Sequence, residues 1–262
     1  MSSNRPAGST SSSNRRAQLR AEAIAAQKRA RRQKMAITAA VVVVVAALII
    51  GGLVWAQGRD QPAPVAGGAL PPNITAAEDG IIVNPGKAEG KPLVELYFDY
   101  QCPGCGALER FAGADIVAGA EAGEYQLVYH TMTFLDTNLK NDSSVRAANA
   151  ALCYAEVGDY AAYHQLIFDN QPAQEGAGYS DELLRNRLPA QLRTNGDRLT
   201  QFQTCYDEGK FMALAEQMNT EAARAGVTST PTVRVDGKDM RVADLKSPDD
   251  FRPSVAALAA SN

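Results

Sequence analysis

The chain of 262 residues is poor in histidine, cysteine and tryptophan, with two, four and one copies respectively. The two histidines, His130 and His164, lie too far apart for the H-x₃₋₅-H spacing of zinc sites. Only one C-x-x-C motif is present, so a second pair of zinc ligands is also missing. The sequence therefore argues against a structural zinc site, and no metal or cofactor is predicted. Each histidine is expected to be an ordinary strand or helix residue.

Positive charge is scarce beyond the N-terminal tail. Residues 1–35 carry nine Lys and Arg against one acid, Glu22, whereas the rest of the chain carries 17 bases and 28 acids. A basic excess that is confined to one tail does not fit a nucleic-acid-binding protein. We therefore expect no nucleic acid among the partners.

One long hydrophobic run is present, at residues 36–56, where 21 consecutive residues carry no charge. A bilayer core needs about 20 helical residues, so this run is predicted to be a transmembrane helix. The preceding bases place the tail of residues 1–35 in the cytoplasm and the rest of the chain outside the membrane. This predicts a single-pass protein of the cell membrane with an extracytoplasmic domain. The alternative is a cleaved signal peptide.

The remaining chain divides into a linker and a folded domain. Residues 57–80 are rich in Pro and Gly, which is typical of a linker. From residue 81 to 262, strand and helix patterns follow the order of an α/β domain, with helices inserted at about 138–225. Asp236 and Gly237 are a strong hairpin signal, and the return strand is predicted at residues 240–242.

Two cysteines, Cys102 and Cys105, enclose Pro103 and Gly104 directly after the predicted strand at residues 93–100. Proline suits the first position of a helix. The N–H groups and partial positive charge of a helix N-terminus stabilise a thiolate, which is the form of Cys102 that attacks disulfides. Cys105, one turn later, is placed to displace a mixed disulfide. A crosslink between such close residues stabilises a fold very little, so the pair is predicted to be redox-active rather than inert.

The other two cysteines, Cys153 and Cys205, lie in the predicted helical insertion. Disulfides are favoured outside the cytoplasm, and a bridge here would close a loop of about 50 residues. In the chain-entropy model such a loop is worth on the order of 4 kcal/mol. A structural disulfide is therefore predicted, with two separate buried thiols as the alternative.

Three segments together resemble the DsbA-like thiol–disulfide oxidoreductases. Residues 99–105, DYQCPGC, resemble the D-[FY]-x-C-P-x-C signature of these proteins. Residues 160–172 resemble a segment of their helical insertion, and residues 226–232, GVTSTPT, resemble their cis-proline loop. The likeness covers about residues 80–260, and the membrane tether with two extra cysteines resembles the members found in high-GC Gram-positive bacteria. It implies a thioredoxin fold with an inserted helical subdomain, in which Pro231 is cis and faces the cysteine pair.

The resemblance also implies a function. The chain would be a protein-disulfide oxidoreductase, an oxidase that introduces disulfides into reduced exported proteins. The backbone of Thr230 would pair with the substrate peptide. A membrane reoxidase of the DsbB or VKOR type would then restore the disulfide. The alternatives are a reductase or isomerase of the same fold, which Thr230 favours and Gln101 disfavours, and a redox-inactive binding module.

Two residues depart from the pattern of the family. Gly104 stands where strongly oxidising members often carry histidine, so the pKa of Cys102 is expected below ~8.5 but above the ~3.5 of the most extreme case. Glu95 is the candidate for the buried acid that relays the proton of Cys105 in thioredoxin-like proteins. Its spacing from Cys102 is one residue longer than usual, and a one-residue shift changes the face of a strand.

Overall fold

A computed structural model describes residues 69–261. The predicted cytoplasmic tail, the predicted transmembrane helix and residues 57–68 of the predicted linker lie outside the described residues. Within residues 69–261, no helix combines the length and the hydrophobicity that a membrane crossing requires.

The centre of the domain is a five-stranded mixed sheet in the order β1-β3-β2-β4-β5. Its strands are β1 (Ile81–Ile82), β2 (Leu93–Phe98), β3 (Gln126–Thr131), β4 (Thr232–Val235) and β5 (Lys238–Met240). The central strands β2 and β3 are parallel, and the other neighbouring pairs are antiparallel. Strand β2 pairs with a strand at each edge, and four of the six residues of its largely apolar sequence, LVELYF, are buried.

Helices cover the sheet and form the insertion. They are α1 (Pro103–Glu121), α2 (Phe134–Leu139), α3 (Ser143–Ala155), α4 (Tyr160–Asp169), α5 (Leu188–Gln191), α6 (Gly196–Asp207), α7 (Met212–Arg224) and α8 (Phe251–Ala259). A π-helical segment, Glu182–Arg187, leads into α5, and two 3₁₀ turns, Val242–Asp244 and Pro248–Asp250, precede α8. The chain between β3 and β4 therefore carries the inserted helices, from Phe134 of α2 to Arg224 of α7.

The two faces of β2 belong to different apolar clusters. Leu96 and Phe98 pack in the large cluster that also contains Cys105 and Ile116 of α1. Tyr97 instead belongs to a small cluster that includes residues of α7 and of the loop after it. Successive side chains of a strand point to opposite faces, so this alternation decides which residues of β2 can reach the first turns of α1.

Two boundaries differ from the predictions. In the segment assigned to the linker, Ile74 forms a β-bridge with Ile81, so folded structure begins before residue 81. Strand β5 begins two residues before the predicted return strand. Asp236 and Gly237 have φ values of 48° and 78°, a tight turn that places Val235 opposite Lys238.

Inside the insertion, a disulfide joins Cys153 of α3 to Cys205 of α6. The two Cα atoms are 5.7 Å apart and 52 residues apart in sequence, and both side chains are buried. The bond therefore crosslinks two helices that are distant in sequence and has little contact with solvent.

Candidate redox site

Cys102 stands at the junction between the sheet and α1. It is the N-cap residue of α1, and Pro103 occupies the first position of the helix. Its amide donates a hydrogen bond of 2.9 Å to the carbonyl oxygen of Asp99, which closes the short loop after β2. Cys102 is half-buried, whereas Cys105, one turn further, is only 1% exposed. An incoming thiol can therefore reach Cys102 but not Cys105.

The cis-proline loop lies directly against Cys102. The Thr230–Pro231 peptide bond is cis, and the carbonyl oxygen of Thr230 is 3.4 Å from Sγ of Cys102. A Cβ atom at position 104 would lie 3.2 Å from Cδ of Pro231 and 3.7 Å from Sγ of Cys102. The structure thus brings Cys102, Gly104, Thr230 and Pro231 together, and glycine leaves the space between them open.

The two thiols have opposite acidities. The pKa of Cys102 is lowered to about 6, chiefly by a hydrogen bond from the Cys105 thiol, with further hydrogen bonds from Thr230 and from the N–H groups of the first turn of α1. Partial burial opposes this shift. Burial raises the pKa of Cys105 well above its usual value. At neutral pH Cys102 is therefore a thiolate and Cys105 a thiol, and the pKa of Cys102 lies within the interval that the sequence predicted.

The hydroxyl of Thr230 adds to this stabilisation. It is a buried oxygen without a hydrogen-bond partner among the described residues, and its proximity lowers the pKa of Cys102. A hydroxyl that faces a thiolate can donate its hydrogen to the charge. Thr230 therefore contacts the reacting sulfur through its carbonyl, and its hydroxyl has no partner within residues 69–261 that competes with the thiolate.

Glu95 does not take the place predicted for it. Its carboxylate lies 3.4 Å from Nε2 of His130 and accepts a hydrogen bond from the hydroxyl of Tyr97. It shares a face of β2 with Tyr97, whereas Leu96 packs in the cluster of Cys105 on the other face. The predicted proton relay between Cys105 and Glu95 is therefore wrong, because strand alternation turns this side chain away from α1.

Two other carboxyl residues are buried in the part of the chain that the structure describes, Asp99 and Glu109. Glu109 of α1 lies 3.3 Å from Nε2 of His164, whose other ring nitrogen is 3.0 Å from the hydroxyl of Tyr100. Asp99, three residues before Cys102, is fully buried, and burial raises its pKa to about 7. Nothing in the sequence distinguishes a buried Asp99 from an exposed loop carboxylate, apart from its place in the D-Y-Q-C-P-G-C motif.

The residue before Cys102 also points into the insertion. Gln101 is 4% exposed, and its Nε2 lies 2.8–2.9 Å from side-chain oxygens of Asp136, Asn141 and Ser144. Its side chain therefore anchors the loop at residues 99–102 to α2 and α3 instead of covering the cysteine pair.

A second anchor comes from the end of α4. Nε2 of Gln171 lies 2.9 Å from the carbonyl oxygens of both Tyr100 and Cys102. The hydroxyl of Tyr179 donates a hydrogen bond of 2.6 Å to the same carbonyl of Tyr100. The segment at residues 160–172 thus contributes a side chain that holds the backbone around Cys102.

No group of three or more His, Cys, Asp or Glu side chains within residues 69–261 is arranged to hold a metal ion. The site is built from two thiols, a cis-proline loop and a polar frame around them. Its chemistry is that of a nucleophilic sulfur beside a second, protonated sulfur, which is an arrangement suited to thiol–disulfide exchange.

Known proteins share this fold and part of this sequence. A family model described as thioredoxin matches residues 79–256. The solved structure of oxidised DsbA from Mycobacterium tuberculosis is 26% identical, with a TM-score of 0.56, and the match covers 69% of this chain and 92% of that one. MdbA, a thiol-disulfide oxidoreductase from Actinomyces oris, is 17% identical with a TM-score of 0.64, covering 74% of this chain and 95% of the other, and shows the shared fold alone.

A curated relative is the serine/threonine-protein kinase PknE of Mycobacterium tuberculosis, which is 26% identical over 171 residues. The match covers 61% of this chain but only 28% of the kinase. The similarity therefore concerns one part of that larger protein. The match of the family model over most of the described residues, together with the solved structures, confirms the resemblance to DsbA-like proteins and shows that this chain belongs to the thioredoxin family.

Proposed function

We propose that this chain is a protein thiol–disulfide oxidase that introduces disulfides into exported proteins through Cys102 and Cys105. The observation that carries the proposal is the pairing of an accessible Cys102, with a pKa of about 6, and a buried Cys105 at a cis-proline loop. A stabilised thiolate favours the reduced form of the pair. A pair whose reduced form is favoured gives up its disulfide readily, which is the property of an oxidase.

The reaction begins with the enzyme disulfide between Cys102 and Cys105. A substrate thiolate attacks Sγ of Cys102, the enzyme disulfide breaks, and Cys105 leaves as a thiolate that takes up a proton. A second substrate thiolate then attacks the substrate sulfur of the mixed disulfide and releases Cys102 as a thiolate. The substrate loses two electrons, which the enzyme pair gains. The low pKa of Cys102 makes it a good leaving group in this second step.

The cis-proline loop would bind the substrate. An extended peptide that pairs with the backbone of Thr230 would add a short strand beside Cys102. Pro231 has no N–H, so it places no competing donor at this position. This arrangement binds backbone instead of particular side chains, which suits an enzyme that oxidises many exported proteins.

The N-terminal sequence supports a proposal for where the reaction takes place. We propose that residues 36–56 anchor the chain in the cell membrane, with residues 1–35 in the cytoplasm and the redox domain outside. Continued turnover needs a two-electron oxidant. A quinone-linked membrane protein of the DsbB or VKOR type would accept these electrons from reduced Cys102 and Cys105.

The alternative is a reductase or isomerase of the same fold, and the observation that favours it is Thr230 before the cis-proline. A glutathione redox titration of the full chain separates the two, with Cys102–Cys105 followed by mass after alkylation. A potential well above about −200 mV supports the oxidase, and one near about −270 mV supports the reductase. A pair that does not exchange with glutathione would leave only a binding module.

A further inference from the structure

Besides the side chains of Gln101 and Gln171, a buried carboxylate, that of Asp99, joins the loop before Cys102 to the insertion. Oδ1 of Asp99 accepts hydrogen bonds from the amide of Gln101, at 2.9 Å, and from the hydroxyl of Ser144, at 2.6 Å. Oδ2 accepts a bond of 3.1 Å from the amide of Leu135. The donors belong to the loop itself, to α3 and to α2, so the side chain of Asp99 joins three separate segments.

The backbone of the same residue acts on both cysteines. The carbonyl oxygen of Asp99 accepts the hydrogen bond from the amide of Cys102, and the backbone of Asp99 lowers the pKa of Cys105, against the larger rise that burial causes. The carboxylate that is held by α2 and α3 thus belongs to the residue whose backbone lies beside the two sulfurs. Sequence position alone would not predict this, since the side chain reaches residues 36 and 45 positions away.

We propose that Asp99 is a positioning residue of the redox site, and that gain or loss of a proton by its carboxylate changes how firmly the loop holds Cys102 and Cys105. This inference rests on the proposed thiol–disulfide exchange at Cys102. It assigns to Asp99 no direct contact with substrate.

The hydrogen-bond partners show what protonation would change. The ionised carboxylate can accept all three bonds. The protonated group has one hydrogen to donate, and only the hydroxyl of Ser144 can accept it, because Gln101 and Leu135 present N–H groups. The ionised and the protonated forms of Asp99 therefore differ in the hydrogen bonds that they make with α2 and α3.

The groups around Asp99 place the protonation of its carboxylate near neutral pH. Burial raises the pKa of Asp99 to about 7, and the negative charge of Asp136 on α2 adds to the rise, whereas the hydrogen bond from Ser144 lowers it. Cys105 of α1 and Tyr179 are further ionisable groups close to it, and Cys102 is hydrogen-bonded to its backbone carbonyl. No Lys or Arg forms a salt bridge with this carboxylate in the described part of the chain.

The test is the alkylation rate of Cys102 in the reduced full-length chain between pH 5 and pH 9, with the modified peptide followed by mass. The rate should rise in a main step near pH 6, from Cys102 itself, and in a smaller second step near pH 7, from Asp99. Asp99→Asn should keep the main step and lose the second. Ser144→Ala removes a bond that lowers the pKa of Asp99, so the second step should move to higher pH.

The matched control is Tyr154→Phe, which removes a buried hydrogen bond to Thr194 within the insertion and should leave both steps in place. A wild-type profile with one step, or a second step that persists in Asp99→Asn, would overturn the proposal. If Asp99→Asn does not fold, an unshifted second step in Ser144→Ala would overturn it as well. Glutathione exchange is measured separately, so loss of the proposed function and loss of the role of Asp99 remain distinguishable.

Discussion

The two cysteine pairs of this chain show how location decides what a sulfur does. Cys102 and Cys105 lie one turn apart at a helix N-terminus, where one sulfur is accessible and its pKa is about 6. Cys153 and Cys205 are 52 residues apart and are joined between two helices, where neither is exposed by more than 2%. The first environment stabilises a reactive thiolate, whereas the second excludes the solvent and reductants that exchange requires. Four predictions test this contrast, from the largest expected effect to the smallest.

The largest effect is expected for Cys102→Ser. Serine cannot form the mixed disulfide, so exchange with a thiol substrate should fall to the uncatalysed background. Thermal stability of the reduced chain near pH 5, where the Cys102 thiol is protonated, should change little, because Cys102 is half-buried and serine is similar in size. The measurement is the oxidation rate of a reduced peptide, and substantial remaining activity would show that exchange occurs elsewhere in the chain.

The double variant Cys153→Ala/Cys205→Ala should lower the stability of the fold but leave the redox site unchanged. Loss of a bridge across this loop is expected to lower the free energy of unfolding by about 2–5 kcal/mol. The pKa of Cys102 should stay at about 6, because no group that lowers it belongs to α3 or α6. Denaturant unfolding and thiolate absorbance measure the two quantities. A large shift in the pKa would show that the redox site depends on the insertion disulfide.

The pH dependence of stability should also differ between the pairs. The pKa of Cys102 is depressed from 9.0 to about 6 in the folded state. Its contribution to the stability of the reduced chain is therefore fully present above about pH 9 and is lost as the pH falls through about 6. Unfolding midpoints of reduced wild type and Cys102→Ser should converge toward pH 5 and separate toward pH 8. Parallel curves would contradict the depressed pKa.

The smallest effect is expected for Thr230→Val, which removes the hydroxyl beside the thiolate. The pKa of Cys102 should rise, and its alkylation rate near pH 6 should fall by no more than about tenfold, since one hydrogen bond contributes about 0.5–1.5 kcal/mol. Thr232→Val is the matched control, because that hydroxyl donates to the carbonyl of Ser229 instead. Equal effects of the two variants would show that the hydroxyl of Thr230 does not act on the sulfur.

Much of the fold is predictable from local sequence. The apolar run of β2, the proline at the start of α1 and the Asp236–Gly237 turn each carry a signal that depends only on neighbouring residues. The end of the linker and the start of β5 are less predictable. Ile74 and Lys238 are ordered by pairing with other strands, and the local sequence does not specify such pairing.

The acids around the site show where prediction from sequence ends. Glu95 and Asp99 lie on or just after the same strand, and the sequence pattern favoured Glu95. In the structure Glu95 faces His130 on the far side of the sheet, whereas Asp99 is buried against α2 and α3. Which face a side chain occupies depends on strand register, and which partners surround it depends on the packing of the insertion.

The sequence by itself determined the chemistry that this chain carries. The spacing of Cys102 and Cys105, the proline between them and the Thr-Pro motif are local patterns, and they limit the reaction to thiol–disulfide exchange. The tertiary structure alone decided which side chains surround Cys102 and Asp99. It brought Thr230 within reach of Cys102 over 128 residues and enclosed Asp99 among donors from the insertion. Contacts between residues so far apart in sequence form only when the helices pack against the sheet. The local sequence therefore does not specify which side chains become buried together.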